Sequence, residues 1–175
     1  MDIYETIKKR RSIRKYKPDP IPDDKFNRIM EAVRLAPSGK NGQPWRFVIV
    51  RDNRLKEELV QACKGQTFMA EAPVIIAACG SDAESYQKQG GYMTSMVIDV
   101  SIALDHLTLA ATAEGLATCW IGAFSEPEVK KLLNVPDNLR VVALTPLGWP
   151  AEEPPVKSRK SLKEIMFFER FPKSV

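Results

Sequence analysis

The stretch 93–114 constrains this chain more than any other. It contains no proline and no glycine until Gly115, so nothing in it stops a long helix. Wound as a helix, Met93, Met96, Val97, Ile98, Val100, Ile102, Leu104, Leu107, Leu109 and Ala110 cover nearly the whole circumference. A helix that is apolar all round has to be buried all round. The chain has 175 residues, enough for one domain with a real core and few for two. A domain of that size can hardly enclose such a helix by itself. The economical solution is a second copy of the chain packed against it; the alternative is a central helix wholly buried within one chain. Apolar runs elsewhere and here are expected to fall short of a bilayer span. The first fourteen residues lack the apolar core of a secretion signal, so a cytoplasmic protein with no membrane partner is expected.

The remaining elements follow from periodicity and punctuation. Asp2 with Glu5 has the spacing of a capping box at the start of a short helix. Pro18, Pro20 and Pro22 force an extended connector. A helix over 23–35 would bury Phe26, Ile29, Met30 and Val33 at i, i+3, i+4, i+7 spacing. Short β-branched or apolar runs predict strands over 45–50, 74–79, 116–121 and 141–147, with helices over 55–63 and 126–133. Few strands with unequal helical insertions indicate an α+β layered domain rather than regular βαβ winding, one domain over 1–175.

Charge is informative once located. The net charge is +4, from 26 basic and 22 acidic residues. Residues 8–17, KKRRSIRKYK, hold seven of the basic residues and no acid, which leaves 19 basic against 22 acidic residues elsewhere. A positive excess confined to one segment suits a local anion site or a solvated basic tail, and argues against a broad nucleic-acid footprint. If the chain is extended as it leaves the first helix, Arg10, Ser12 and Arg14 share a face. Two guanidinium forks then flank a hydroxyl, a set that suits a phosphate monoester. Cations completing a helix C-terminus explain the same residues equally simply. A second basic cluster, Lys157-Ser158-Arg159-Lys160, follows a proline-rich connector, and could converge on the same anion or be an exposed loop.

The loop Pro37-Ser38-Gly39-Lys40-Asn41-Gly42-Gln43-Pro44 places short polar side chains on a glycine-punctuated backbone leading into Trp45. Ser38, Asn41 and Gln43 could match the donor–acceptor edge of a flat heterocycle, or simply close a helix-to-strand turn. Small residues at Gly122-Ala123 and at Gly148 end two of the strands and would let backbone amides approach a ligand. Cys63, Cys79 and Cys119 are odd in number and far apart, and His106 is the sole histidine. A zinc site or other metal centre is therefore not expected, and His106 reads as a packing or interface residue. No GxGxxG, P-loop or GxSxG motif occurs. A chain with anion-binding and planar-ligand features but no acid–base machinery points to a cofactor that carries the reaction.

Together the segments RRSIR (10–14), APSGKNGQPW (36–45), Gly115 to Phe124, Pro146-Leu147-Gly148 and Lys157-Ser158-Arg159 resemble the nitroreductase family of FMN proteins, in the family's order and over almost the whole chain. The resemblance implies a three-layer α/β/α domain with a central mixed sheet and the long helix at a homodimer interface. Two FMN molecules would lie at that interface, each touched by both chains. Arg10, Ser12 and Arg159 would hold the phosphate, with Arg11 and Lys157 beside them. Arg14 would face the pyrimidine side, where a cation stabilises reduced flavin. Pro37, Ser38, Asn41 and Gln43 would come from the partner chain. Backbone amides of Gly122 and Ala123 would lie near flavin N5, next to Ile121, with Gln66 and Gly148 as further contacts. No side chain would be catalytic, since flavin N5 carries the chemistry. NADH or NADPH would deliver hydride and leave, and a nitroaromatic, quinone or other electron-poor acceptor would then be reduced in the same space. Other flavin chemistry, such as dehalogenation, dehydrogenation or flavin cleavage, and a non-catalytic flavin carrier are the alternatives. The compact stretch between Ala70 and Tyr92 leaves little chain for a substrate lid.

Overall fold

The computed structural model describes residues 2–172; Met1 and 173–175 of the expected domain lie outside the described residues. Its frame is an antiparallel sheet with helices on both faces. β3 (Val74–Ser81) lies between β2 (Trp45–Val50) and the long β5 (Leu139–Pro150), whose outer part pairs with β1 (Tyr16–Lys17) and with β4 (Ala117–Thr118). All eight residues of β3 are buried, as a central strand covered on both faces requires. Its alternate side chains divide between two cores. Val74, Ile76 and Ala78 join α2 (Asp23–Arg34) and α5 (Met96–Ala113) on one side. Ile75, Ala77 and Cys79 join α3 (Asn53–Ala62), α4 (Phe68–Glu71) and α6 (Glu126–Leu133) on the other. The period of two along one strand thus builds the three expected layers.

The α+β reading holds, with one refinement. Among the described residues the sheet is antiparallel at every pairing of its strands rather than mixed, and the one parallel contact is a bridge between Ser12 and Thr118. The expected strand over 116–121 shrinks to Ala117–Thr118 plus a bridge from Ile121 to Leu144. The small residues Gly122 and Ala123 follow, and the chain leaves the sheet there. α1 (Ile3–Lys9) is capped by Asp2, whose carboxylate accepts from the Glu5 amide at 2.9 Å; this is the forward half of the expected box. A short helix at the C-terminal end, α7 (Leu162–Ile165), carries a complete one at Ser161 and Glu164. Neither α4, α7 nor β1 is visible in the sequence pattern, because each has four residues or fewer.

The long helix departs from expectation in an instructive way. Over Met96–Ala113 it reaches the minimum length and apolarity for crossing a membrane, with mean hydropathy 1.4, contrary to the sequence expectation. Yet Met96, Val100, Ala103, Leu104, Leu107 and Ala111 form a buried stripe at the centre of the larger core. The other side is not enclosed: Val97 and Ile98 are 50% and 41% exposed. A helix wholly buried within one chain is thereby excluded. Ile3, Tyr4 and Ile7 on α1 and Leu35 beyond α2 are exposed as well.

Candidate functional site

The two basic segments, about 145 residues apart in sequence, meet at one cavity. α1 ends at Lys9, and Arg10 leaves it with extended geometry, φ −54° and ψ 127°. The next residues run along the sheet's edge: the Ile13 amide donates to the Thr118 carbonyl at 3.0 Å. Ile13 and Tyr16 are buried against Ala72 and Ala117, and the Tyr16 hydroxyl donates to the Ile13 carbonyl at 2.7 Å. Burying Ile13 in extended backbone turns its neighbours Ser12 and Arg14 the other way. Arg10, Ser12 and Arg14 accordingly line a cavity of about 360 Å³, which Lys157 and Arg159 complete from the other end of the chain. Ile13 instead lines the groove behind.

No lining residue of this cavity is acidic. Crowded cations repel one another unless an anion sits between them, so the donor set fits a phosphate dianion. Arg11 also borders the cavity, but its guanidinium turns back onto the Lys8 and Arg10 carbonyls and completes the end of α1. Arg14 lies 6.0 Å from the Phe68 ring centroid, while its amide donates to Glu152 at 2.6 Å. Glu152 carries no sequence signal. Beneath the cavity the buried Cys119 thiol is pushed up by desolvation, against the pull of Arg14 and a hydrogen bond with Ser12. It is a buried, unreactive thiol, like Cys63 and Cys79. A larger groove of about 710 Å³ beside α6 holds none of the expected residues. Two of its three cations already pair with acids of the same groove, Arg140 with Glu126 and Lys130 with Asp137, whereas the first cavity has no acid in its lining.

A second group surrounds the end of β4. The Ile121 amide is consumed by the Leu144 carbonyl at 2.8 Å, which removes it as a ligand donor. Gly122 and Ala123 are exposed, and a Cβ on Gly122 would meet nothing nearer than Trp120 Nε1 at 4.0 Å. Nothing in this chain demands glycine there; a ligand lying against the backbone would. Gln66 donates to the Ala123 carbonyl at 3.1 Å and to the Cys63 carbonyl at 2.8 Å, so two residues expected at the site are joined directly. Gly148 is different. It is buried, and a Cβ would lie 2.7 Å from Pro73 Cδ: strand packing accounts for it.

The loop with Pro37, Ser38, Asn41 and Gln43 does not reach the basic cavity. It contains a 3-10 turn at Gly39–Asn41, and Lys40 and Asn41 in that turn and Gln43 just beyond it all have positive φ, 52°, 56° and 48°. Such backbone costs a non-glycine residue about 1 kcal/mol or more and persists only where neighbours enforce it. Ser38 Oγ accepts from the Gln43 amide at 2.9 Å, and Asp99 Oδ1 accepts from the Gly39 amide at 2.9 Å. Asp99 went unread in the sequence, although an acid within an apolar helix signals a buried partner. His106 meets the Ala32 carbonyl at 3.1 Å beside an apolar groove, in keeping with a packing role. Among the described residues no cluster of His, Cys, Asp or Glu could hold a metal ion.

An antiparallel sheet between two helical layers, with a cationic cavity at one edge and exposed small residues at a strand end, defines an α+β protein whose cavity has the charge to suit an anion. The family model for the nitroreductase family matches residues 7–68 and 61–149. The chain belongs to the nitroreductase family. It is similar to a nitroreductase family protein from Clostridium novyi NT of solved structure, with 42% identity, 86% of this chain and 87% of that one covered, and a TM-score of 0.79. It is 29% identical to the FMN reductase [NAD(P)H] of Bacillus subtilis, over 90% of this chain and 70% of that protein. It is also 26% identical to an iodotyrosine deiodinase of Thermotoga neapolitana, over 91% and 95%. The relatives support an oxidoreductase, and the activities they are named for differ.

Proposed function

We propose that this chain is an FMN-dependent NAD(P)H oxidoreductase that works as a homodimer with one FMN at each of two interface sites. The observation that carries the reading is the convergence of Arg10, Ser12 and Arg14 with Lys157 and Arg159 on one acid-free cavity. Arg10, Ser12, Lys157 and Arg159 bind the phosphate. Arg14, held by its amide to Glu152, offers its guanidinium to the pyrimidine side and favours the negative charge of the reduced ring. The exposed amides of Gly122 and Ala123 face the ring's centre, steadied from behind by Gln66.

The uncovered face of α5, with the apolar side chains exposed on α1 and on the C-terminal segment, supports a second copy as partner. Across such an interface the loop carrying Ser38, Asn41 and Gln43 supplies the polar edge that its own chain's cavity lacks. When bound, FMN supplies the two-electron chemistry, accepting hydride from a nicotinamide and passing electrons to an acceptor. The protein binds, orients and tunes; none of its side chains transfers a proton in this reading. Quinones and nitroaromatics are the proposed acceptor class, since an electron-poor planar molecule can take the place the nicotinamide leaves.

Anaerobic mixing of the flavin-loaded protein with NADH, and separately with NADPH, tests this. Bleaching of flavin absorbance by at least one nucleotide, restored by a quinone or nitroaromatic, is expected. A flavin that neither nucleotide reduces would contradict the proposed activity.

A further inference from the structure

The loop at 38–43 is held by a buried carboxylate to which the proposed function assigns no role. Asp99 is 3% exposed, in the first turn of α5. One of its oxygens accepts from the Gly39 amide at 2.9 Å, and the other accepts from Ser95 Oγ at 2.6 Å. Ser95, itself buried, in turn accepts from the Tyr86 amide at 3.0 Å. Thus α5, the loop and the stretch after β3 are tied at one point.

Two further observations show how tightly. A Cβ on Gly39 would lie 2.8 Å from both Ser95 Oγ and Tyr86 Cβ, and one on Gly42 would lie 2.3 Å from the Glu84 carbonyl oxygen. Lys40, Asn41 and Gln43 have left-handed backbone in this same turn. Three such residues in four positions relax unless something enforces them. The enforcement comes from Asp99 at the start of the turn and from Ser38 Oγ at its end.

We infer that Asp99 is a positioning residue for flavin binding: through Gly39 it fixes the strained turn so that Ser38 and Asn41 present their polar groups to the FMN of the partner site. This rests on the flavin reading above. It also gives α5 two tasks. Val97 and Ile98 beside Asp99 face outward, so the helix turn that meets the second copy is the one that shapes the loop offered to it. Asp99 acts through the loop and touches no ligand.

Asp99→Ala and Asp99→Asn in the full-length protein separate this role from mere stability, because Asn keeps an oxygen that accepts from Gly39. Two readouts are taken: amide hydrogen exchange across 37–44, and FMN affinity by fluorescence quenching. In Asp99→Ala, exchange in the loop and the FMN dissociation constant should both rise by about tenfold, the equivalent of one buried hydrogen bond. Asp99→Asn should stay within about threefold of the wild type in both. If Asp99→Ala does not fold, Ser95→Ala should move both readouts in the same direction by a smaller factor. Unchanged loop protection in the Ala variant, a loosened loop with unchanged FMN affinity, or an Asn variant as poor as the Ala variant would each overturn the assignment. Failure of the wild type to bind FMN would instead refute the flavin reading itself.

Discussion

The basic cavity and the 38–43 loop present polar groups to solvent by opposite means. In the cavity the backbone is relaxed and extended, and the side chains are long, charged and largely exposed. In the loop the side chains are short and the backbone carries the information, bent at Lys40, Asn41 and Gln43 and locked by a buried carboxylate. A flexible cationic cradle suits a phosphate, whose charge is recognised from many directions. A rigid turn suits a flat ring, whose edge has to be met at fixed positions. The difference teaches where each part should be fragile: the cradle to loss of charge, the loop to loss of packing.

The largest effect is expected where the two regions are brought together. Val97→Glu puts a charge on the uncovered face of α5. It should convert the proposed dimer to a monomer by light scattering and weaken FMN binding by about a hundredfold or more, since burying an unpaired charge costs several kcal/mol. A dimer that survives this change would place the interface elsewhere. Arg10→Ala removes one charge-assisted contact of about 1.5–3 kcal/mol and should weaken FMN by about 10- to 150-fold, with little change in melting temperature. Unaltered affinity would remove Arg10 from the phosphate site.

A pair of glycine substitutions sharpens the contrast. Gly42→Ala forces a Cβ to within 2.3 Å of the Glu84 carbonyl oxygen. It should lower the melting temperature by about 5 °C or more, whether or not flavin is present. Gly122→Ala meets no protein atom nearer than 4.0 Å, so the fold should tolerate it while flavin reduction by nicotinamide slows. Equal thermal stability of the two variants would dissolve the distinction.

The smallest effect concerns stability alone. Glu114, at the end of α5, is held at about 2 by hydrogen bonds from Arg28 and then Lys25, against an ordinary value of 4.5. A depressed carboxylate contributes stability that is present above about pH 4.5 and is lost as pH falls through about 2. Urea midpoints measured down this range should fall less steeply in Glu114→Gln than in the wild type. Parallel curves would show that the clamp does not matter to folding.

Most of the fold was legible because its signals are local. The α6 boundaries, the β2 strand and the stripe of α2 follow from spacing that a helix or strand imposes wherever it sits. The cationic cluster was half legible: alternation put Arg10, Ser12 and Arg14 on one side, but only the folded chain brings Lys157 and Arg159 to them. The loop's content was readable and its shape was not, because the positive φ at Lys40, Asn41 and Gln43 is held in place by Asp99, which is distant in sequence. The antiparallel sense of the sheet was equally hidden, since strand direction is set by connections rather than by composition.

Comparing FMN with riboflavin probes the central claim most directly, for the two differ only in the phosphate. If both basic segments grip that group, FMN should bind at least about a hundredfold more tightly than riboflavin, from two or more charge-assisted contacts. That advantage should collapse when Arg10 and Arg159 are both replaced by alanine. Riboflavin binding as tightly as FMN to the wild-type protein would contradict the account.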